Sequence, residues 1–489
     1  MTNGSEMLLT KPEIQAPSLA IIGGGVAGAT AAVHLSELGL KVTLLEKSAG
    51  LVNGPPICHL HAGGNLYREI SQQQCTELLR QSLETVRLYP HTLNRRPTVI
   101  AIPHSDPGSV QEVLPRLEVI RSAYQQLVAE DCHNKMLGEP SDYFRLYQQD
   151  ELERLALKSQ PKVPTSFDDW LIPFAQHTDL SQLKYPVVAV QEYGWSVFRL
   201  AASAHLTLDA LPNCQVITQA TLVDSQFVDQ QWQLTYQDRD GYPQLLQCDY
   251  LINACGYETG KIDDLTHHPR QRLVEFKAAF VTHWPRCHQE WPEVIFHGPR
   301  GTPQGMAQLT PYADGVFQLH GMTQDITLFS DGLVSSTAES SQPCLPTYLQ
   351  QKLTQGWSSQ ALSERTLRAI QHMSQFVPEF ACAEVGGNPL FGAQQIPGVD
   401  ASLRAADVTF EDNQYARIEV VKGSSALEAA RRLVSTWQLA DVDTGLSIEQ
   451  QHPVCLSFSE QQIEQKAIEL AEQRGYPMAL AKVVGIRHH

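Results

Sequence analysis

Gly23, Gly25, Gly28 and Glu46 are the residues of this 489-residue chain whose types and spacing point most directly to chemistry. The glycines fit G-x-G-x-x-G. The first permits a tight turn, the second lets backbone approach a diphosphate, and the third lets a helix pack closely on a strand. Glu46 stands 18 residues beyond Gly28, where an acid holds the hydroxyls of a ribose. This is the chemistry of dinucleotide binding.

Such a site needs a strand, a turn, a helix and a second strand in register. Leu19, Ala20, Ile21 and Ile22 form a short apolar run, as a buried parallel strand requires. From Val26 and Ala27 onward, Ala31, Leu35 and Leu38 recur at helical spacing, and Gly39 stops the helix. The helix start aims free N–H groups at a diphosphate. Val42 to Leu45 make the next strand, ending at Glu46 and Lys47. Spacing alone leaves NAD and FAD both open.

Later segments narrow the choice. The stretch after Glu46, "KSAGLVNGPPICHLHAGGNLYREIS", is a long loop rich in Gly and Pro, and long loops in compact domains are usually functional. Val216 and Ile217 make a short strand. Ala220 to Val223, Trp232 to Tyr236 and Gln244 to Gln247 read as a three-stranded meander, with "DRDG" as one turn. Leu251 and Ile252 lead into "NACG". Ile418 to Val421 read as a strand that runs into Gly423, Ser424 and Ser425, a second helix start.

In this order, the fingerprint, the "HAGG" loop, the "YGWSVFRLAASA" helix, the meander, "INACG" and the late Gly-Ser start resemble the D-amino-acid oxidase superfamily of FAD-dependent oxidoreductases. That family includes sarcosine and dimethylglycine dehydrogenases and, more distantly, malate:quinone oxidoreductases. The resemblance spans residues 18–435. It implies an α/β fold: a Rossmann-like FAD-binding domain with a three-stranded meander, and an α+β, β-sheet substrate domain inserted discontinuously. The expected segments are 17–90, 187–262 and 385–440 for FAD, and 91–186 and 263–384 for substrate. A helical tail, 441–489, lies beyond.

The resemblance also implies roles. Gly23, Gly25, Val26, Ala27 and Gly28 would hold the pyrophosphate, Glu46 and Lys47 the adenosine ribose, and Val216 and Ile217 would flank the adenine. Ala254 and Gly256 would lie near the pyrophosphate. Lys422, Gly423, Ser424 and Ser425 would lie near the flavin, with Ala62, Gly63 and Gly64 as a small-residue turn beside it. His61 stands where relatives attach a histidine to the flavin; covalent attachment, hydrogen bonding and a structural role stay open, and His59 is a weaker version of the same expectation. Asn65 and Tyr67 either face substrate or open a core helix. His320 ends a strand after the Tyr312-Ala313-Asp314-Gly315 turn, and is either near the flavin or a satisfied sheet residue. Arg404 is either a fork for a substrate carboxylate or an ion pair with Asp407. Lys422 is either a cation at the flavin edge or an ordinary strand-end lysine.

No second dinucleotide fingerprint is present, so nicotinamide is not the expected electron partner. Flavin performs the hydride chemistry and the protein orients the substrate. The leading expectation is oxidation of a C–H bond beside an amine, in an amino acid or N-alkyl amine, with electrons passed to oxygen, quinone or a carrier protein. A 2-hydroxy-acid:quinone dehydrogenase and a flavin-binding interaction protein with a decayed substrate site are the alternatives.

Composition excludes other classes. Net charge is −17, which repels nucleic acid and anionic lipid. The 10 cysteines are scattered without C-x-x-C pairs, as in a reduced, cytoplasmic protein, and no cluster has metal-ligand spacing. The apolar stretch 18–35 reads as neither signal core nor membrane span, so no integral membrane segment is expected, while peripheral association stays open. Residues 1–16 read as a loose polar leader. Apparent helices at 108–130 and 150–157 precede Pro161, Pro164 and Pro173, which are expected to interrupt regular structure. Ser459 and Gln462 form a capping box for a tail helix with Ile463, Ala467, Leu470 and Ala471 on one face. Oligomeric state, substrate and acceptor stay open.

Overall fold

The computed structural model describes residues 17–54, 71–401, 403, 407–440 and 446–483. Strand Ser18–Ile22 lies inside a six-stranded sheet, between Lys41–Glu46 and Tyr250–Asn253. Cys214–Thr218 pairs outside the former, and Tyr415–Ile418 then Val408–Phe410 outside the latter. All these pairings are parallel except the last. A parallel strand covered on both faces has no polar side, which explains the unbroken apolar run. Leu19 and Ile21 enter the core shared with helices Val26–Glu37 and Ala426–Trp437. Ala20 and Ile22 face the opposite core, closed by the antiparallel meander Thr221–Val228, Gln231–Gln237 and Pro243–Cys248.

A second sheet of ten strands carries the other half of the molecule. Its long strand Arg272–His283 pairs with Val316–Gly321, Leu333–Ser335, Glu384–Val385 and Leu390–Pro397. Thr98–Pro103, Leu183–Val190 and Phe144–Tyr147 complete the far side. The expected boundaries at 187 and 385 therefore cut through this sheet: Leu183–Val190 and Leu390–Pro397 both belong to it. Strand periodicity reports a strand and is silent on which sheet receives it.

Two further local expectations differ. Pro173 sits inside helix Phe167–His177 rather than ending it. The carbonyl its missing N–H would have engaged, that of Asp169, accepts the Gln160 side-chain amide at 3.1 Å instead. The strand expected over residues 418–421 is Tyr415–Ile418. Glu419 leaves the sheet to meet Arg270 at 3.1 Å and Arg272 at 3.3 Å.

Those contacts belong to a buried ionic cluster that ties the two sheets together. Asp263 accepts from Arg272 and Arg417, and all three side chains are 0% exposed. Asp263 Oδ1 also accepts the Tyr415 hydroxyl at 2.6 Å, and that hydroxyl accepts from Asn253 Nδ2 at 2.7 Å. Arg417 reaches Glu411 at 2.6 Å. The strand end Asn253 and the start of Arg272–His283 are thereby held to one carboxylate.

The tail helix Glu460–Gln473 has the expected capping box, and Ile463, Ala467, Leu470 and Ala471 are buried. It packs on helix Val197–Ala210, where Arg199 meets Glu464 and donates to the Ala481 carbonyl at 2.9 Å.

Candidate functional site

A cleft of ≈ 1600 Å³ runs between the two sheets, more room than a small ligand alone requires. Its first end is built by the glycine turn. Gly23 has φ +100°, and a Cβ there would lie 2.6 Å from the Ala254 carbonyl oxygen. A Cβ on Gly28 would lie 1.8 Å from the Gly23 carbonyl oxygen, so helix and strand touch through backbone. A Cβ on Gly25 would meet nothing within 4 Å: its open side faces the start of helix Val26–Glu37, which has no side-chain cap and no acid in its first turn. Gly23, Gly25, Val26 and Ala27 line the cleft there, together with the neighbouring Ala254 and Gly256. These are the donors an anion needs.

Glu46 lines the same wall and is 9% exposed. Its Oε2 accepts from Gly24 N at 2.6 Å and its Oε1 from Ser48 N at 2.7 Å. A carboxylate so fixed keeps further lone pairs for hydroxyl donors. Lys47 pairs with Glu258, which also meets Lys261 at 2.6 Å. Burial opposes both charges of the Lys47–Glu258 pair, but their mutual attraction outweighs it, raising the lysine and lowering the acid.

Val216 and Ile217 stand behind this wall rather than on it. Alternation along Cys214–Thr218 sends Val216 toward the helical core and Ile217 toward the meander core. The surface beside Glu46 is made by Ala220, Thr221 and Leu222, at the start of the meander.

At the middle of the cleft stand Lys422, Gly423 and Trp195. Trp195 packs so closely that a Cβ on Gly423 would come within 2.9 Å of its ring. Its indole Nε1 is buried and has no hydrogen-bond partner among the described residues. Ser424 and Ser425 lie behind the wall: the Ser424 carbonyl accepts from Thr85 Oγ1 at 2.8 Å, and Ser425 Oγ donates to Gln81. They anchor the turn on helix Gln72–Leu88. Glu192 is buried nearby. Burial, then the charge of Glu293, push its carboxyl well above the usual range, with Lys422 opposing.

The far end belongs to the ten-stranded sheet. His320 lies opposite Gln308 in the hairpin Ala307–Pro311 and Val316–Gly321, and both line the cleft. The expected turn is present, with Asp314 at φ +58° and Gly315 at φ +69°. Gln308 donates to Glu293, which Arg96 holds at 2.6 Å. Lys277 and Arg300 also line the cleft and share one acid, Glu275, at 2.7 Å for the lysine. Burial raises the Glu275 carboxyl less than Lys277 and then Arg300 lower it. Trp357, Phe391, Met306 and Met322 supply the apolar surface.

Sequence reasoning missed Lys277 and Arg300. A signal existed for the first: "RLVEFKAAF" places three charges in an otherwise apolar strand. Arg300 sits in a Gly/Pro-rich loop whose path no periodicity reveals. The expectations for His59, His61, Ala62, Gly63, Gly64, Asn65, Tyr67 and Arg404 lie outside the described residues. Asp407, considered as a partner of Arg404, pairs with Arg432.

Away from the cleft, donor atoms of Asp131, Cys132 and His133 lie within 4.8 Å of one another, a grouping the sequence spacing did not suggest. Asp131 is already engaged by Arg87 at 2.7 Å and by His133 Nδ1 at 2.8 Å. No helix of the described residues is long and apolar enough to cross a membrane.

The residues of the cleft fit a dinucleotide: an uncapped helix start, open space at Gly25, a positioned carboxylate and an orphaned buried indole N–H. The family model described as "FAD dependent oxidoreductase" (DAO) matches residues 18–399. No curated protein sequence matches the chain. Among solved structures, glycine oxidase from Geobacillus kaustophilus is similar at 12% identity and TM-score 0.55, covering 88% of this chain and 97% of its own. L-amino acid deaminase from Proteus vulgaris is similar at 12% identity and TM-score 0.54, covering 94% and 100%. Glycerol-3-phosphate dehydrogenase from Bacillus halodurans, solved with FAD, is similar at 13% identity and TM-score 0.53, covering 96% and 82%. At such identities the likeness concerns the fold.

Proposed function

The chain belongs to the FAD-dependent oxidoreductase family, and from that premise we propose that it oxidises the C–H bond beside the amine of a small amino acid or N-alkyl amino acid. The observation that carries this reading is the pairing of Lys277 and Arg300 with a single acid, Glu275, on the cleft wall shared with His320. Two cationic side chains beside each other on one wall offer several N–H donors of the kind that suit a substrate carboxylate.

FAD, when bound, supplies a ring that accepts a hydride. The chain supplies the rest. The glycine turn and the start of helix Val26–Glu37 would hold the pyrophosphate, and Glu46 the ribose. Lys422, Gly423 and Trp195 would stand beside the ring. Lys277 and Arg300 orient the carboxylate, so that the α-carbon is presented in one pose. His320 receives the ammonium proton at an imidazole nitrogen, because the amine must be neutral before its C–H bond yields a hydride. Trp357 and Phe391 exclude water.

The test is an anaerobic screen of the purified flavoprotein with amino acids, N-methyl amino acids and 2-hydroxy acids, following loss of flavin colour. Bleaching by the first two classes supports the proposal. Bleaching by 2-hydroxy acids alone transfers the site to alcohol oxidation, with His320 as base and a quinone as the first acceptor to try. A protein that holds FAD and is bleached by none is a flavin-binding interaction protein.

A further inference from the structure

The family match ends at residue 399, yet the tail beyond residue 446 reaches the cleft. Helix Glu460–Gln473 stops at Gly475, with φ +69°, and the chain turns back so that Arg474 and Tyr476 line the cleft wall. The Arg474 guanidinium donates to three successive carbonyls: Val52 at 3.3 Å, Asn53 at 3.0 Å and Gly54 at 2.9 Å. It stacks over Phe198 at 5.0 Å and Tyr476 at 5.4 Å. Among the described residues no carboxylate lies within 4.0 Å of it, and there the cation is met by carbonyl dipoles and rings.

The loop it grips is joined to the fingerprint. Val52 N donates to the Gly24 carbonyl at 2.7 Å. Val52 itself has φ +55°, a left-handed conformation that a β-branched side chain resists. Such a conformation persists only where its surroundings over-determine it. Here its amide is held by the glycine turn and its carbonyl by Arg474. On the other side, Tyr476 donates to the Pro389 carbonyl at 3.0 Å, and Lys482 meets Asp314 at 2.8 Å, so the tail bridges to the ten-stranded sheet.

We infer that Arg474 is a positioning residue for the dinucleotide: it fixes residues 52–54 against the fingerprint turn and makes docking of the tail and binding of FAD mutually dependent. Bound FAD would protect the tail, and the tail would slow release of FAD, as linkage requires.

The experiment titrates FAD into stripped full-length protein, followed by flavin fluorescence, with Arg474→Ala, Arg474→Lys and Lys482→Ala beside the wild type. Arg474→Ala is expected to weaken FAD about 10–100-fold, the scale of one or two charge-assisted hydrogen bonds, mainly through faster release. Arg474→Lys keeps the charge but cannot fork across carbonyls, and should fall between. Lys482→Ala removes a tail anchor distant from the loop and should stay within about twofold. Should Arg474→Ala fail to fold, the lysine variant decides. Wild-type affinity in Arg474→Lys together with wild-type affinity or misfolding in Arg474→Ala overturns the assignment, as does an equal loss in Lys482→Ala, which would reduce Arg474 to one of several tail anchors. Tryptic cutting of the wild-type tail at the same rate with and without FAD would overturn the mutual dependence.

Discussion

Replacing Asp263 by Asn should destabilise the protein severely and loosen the cofactor end of the cleft at the same time. Three guanidiniums, Arg270, Arg272 and Arg417, face three carboxylates, Asp263, Glu411 and Glu419, and the cluster is neutral as it stands. Asparagine preserves the shape of Asp263 but leaves one positive charge uncompensated between side chains that are 0% exposed. Removing one partner of a buried pair costs about 3–5 kcal/mol, and a carboxylate serving two buried arginines belongs at the upper end. That is a factor of about 10² to 10⁴ in the folding equilibrium. Asn253 is tied to Asp263 through the Tyr415 hydroxyl, and Ala254 and Gly256 follow Asn253 into the cleft, so disorder in the cluster reaches the cofactor end. Urea unfolding followed by tryptophan fluorescence, with flavin release as a second probe, measures both. The double variant Asp263→Asn, Arg417→Met removes the uncompensated cation and should lose less than Asp263→Asn alone. A loss under about 1 kcal/mol in the single variant, or a double variant that is worse by simple addition, would refute the reasoning.

Three further outcomes are expected. Gly28→Ala places a Cβ against the Gly23 backbone and should yield protein whose flavin content on purification falls roughly tenfold or more, read from visible absorbance. Arg300→Gln should raise KM for an acidic substrate by about tenfold with a smaller change in kcat, because it removes binding common to ground and transition states; a change confined to kcat would contradict that role. Stability should fall on acidification through the buried pair His34 and His452, whose ring nitrogens meet at 2.9 Å while His452 Nδ1 donates to the Ile448 carbonyl at 2.8 Å. Burial, then the charges of His452 and Arg431, hold His34 well below 6.5; burial also lowers His452 to about 4, with the Ile448 carbonyl opposing, Arg431 adding repulsion and Glu449 opposing it. Folded values lie below unfolded ones, so the unfolded chain binds more protons between about pH 4 and 6.5; the stabilisation is complete above that window and is lost as pH falls through it. From His452 alone the loss by pH 5 is about 2 kcal/mol, and His452→Leu should flatten the profile of melting temperature against pH.

How much of this was legible before the structure depended on how local the constraint is. The fingerprint was legible because each glycine answers a backbone demand within a few residues, and the run before it has no polar side to confuse the period. The meander was legible through alternation and its "DRDG" turn, where Asp238 accepts from the Asp240 and Tyr242 amides at 3.0 and 2.9 Å. The substrate end was not. Lys277 and Arg300 converge only because Arg272–His283 accepts particular neighbours, and no spacing along the chain encodes that. Val216 and Ile217 pack toward the helical and meander cores, and the resemblance that set them beside an adenine carries no information on which side chains reach the cleft surface. Pro173 misled for a similar reason, since the group that satisfies its freed carbonyl lies in the preceding loop. Arg474 was invisible because the capping box and apolar face of the tail helix report the helix and not what the residue beyond its end will grip.

The interleaving of the six-stranded sheet has a consequence for synthesis. Strand Ser18–Ile22 leaves the ribosome more than two hundred residues before its neighbour Tyr250–Asn253, and longer still before Tyr415–Ile418. At roughly 5–20 residues per second the nascent strand waits about 10–50 s with one edge unpaired. Its apolar face must be shielded for that time by chaperones or by its own helix, or it becomes the place where chains stick to one another.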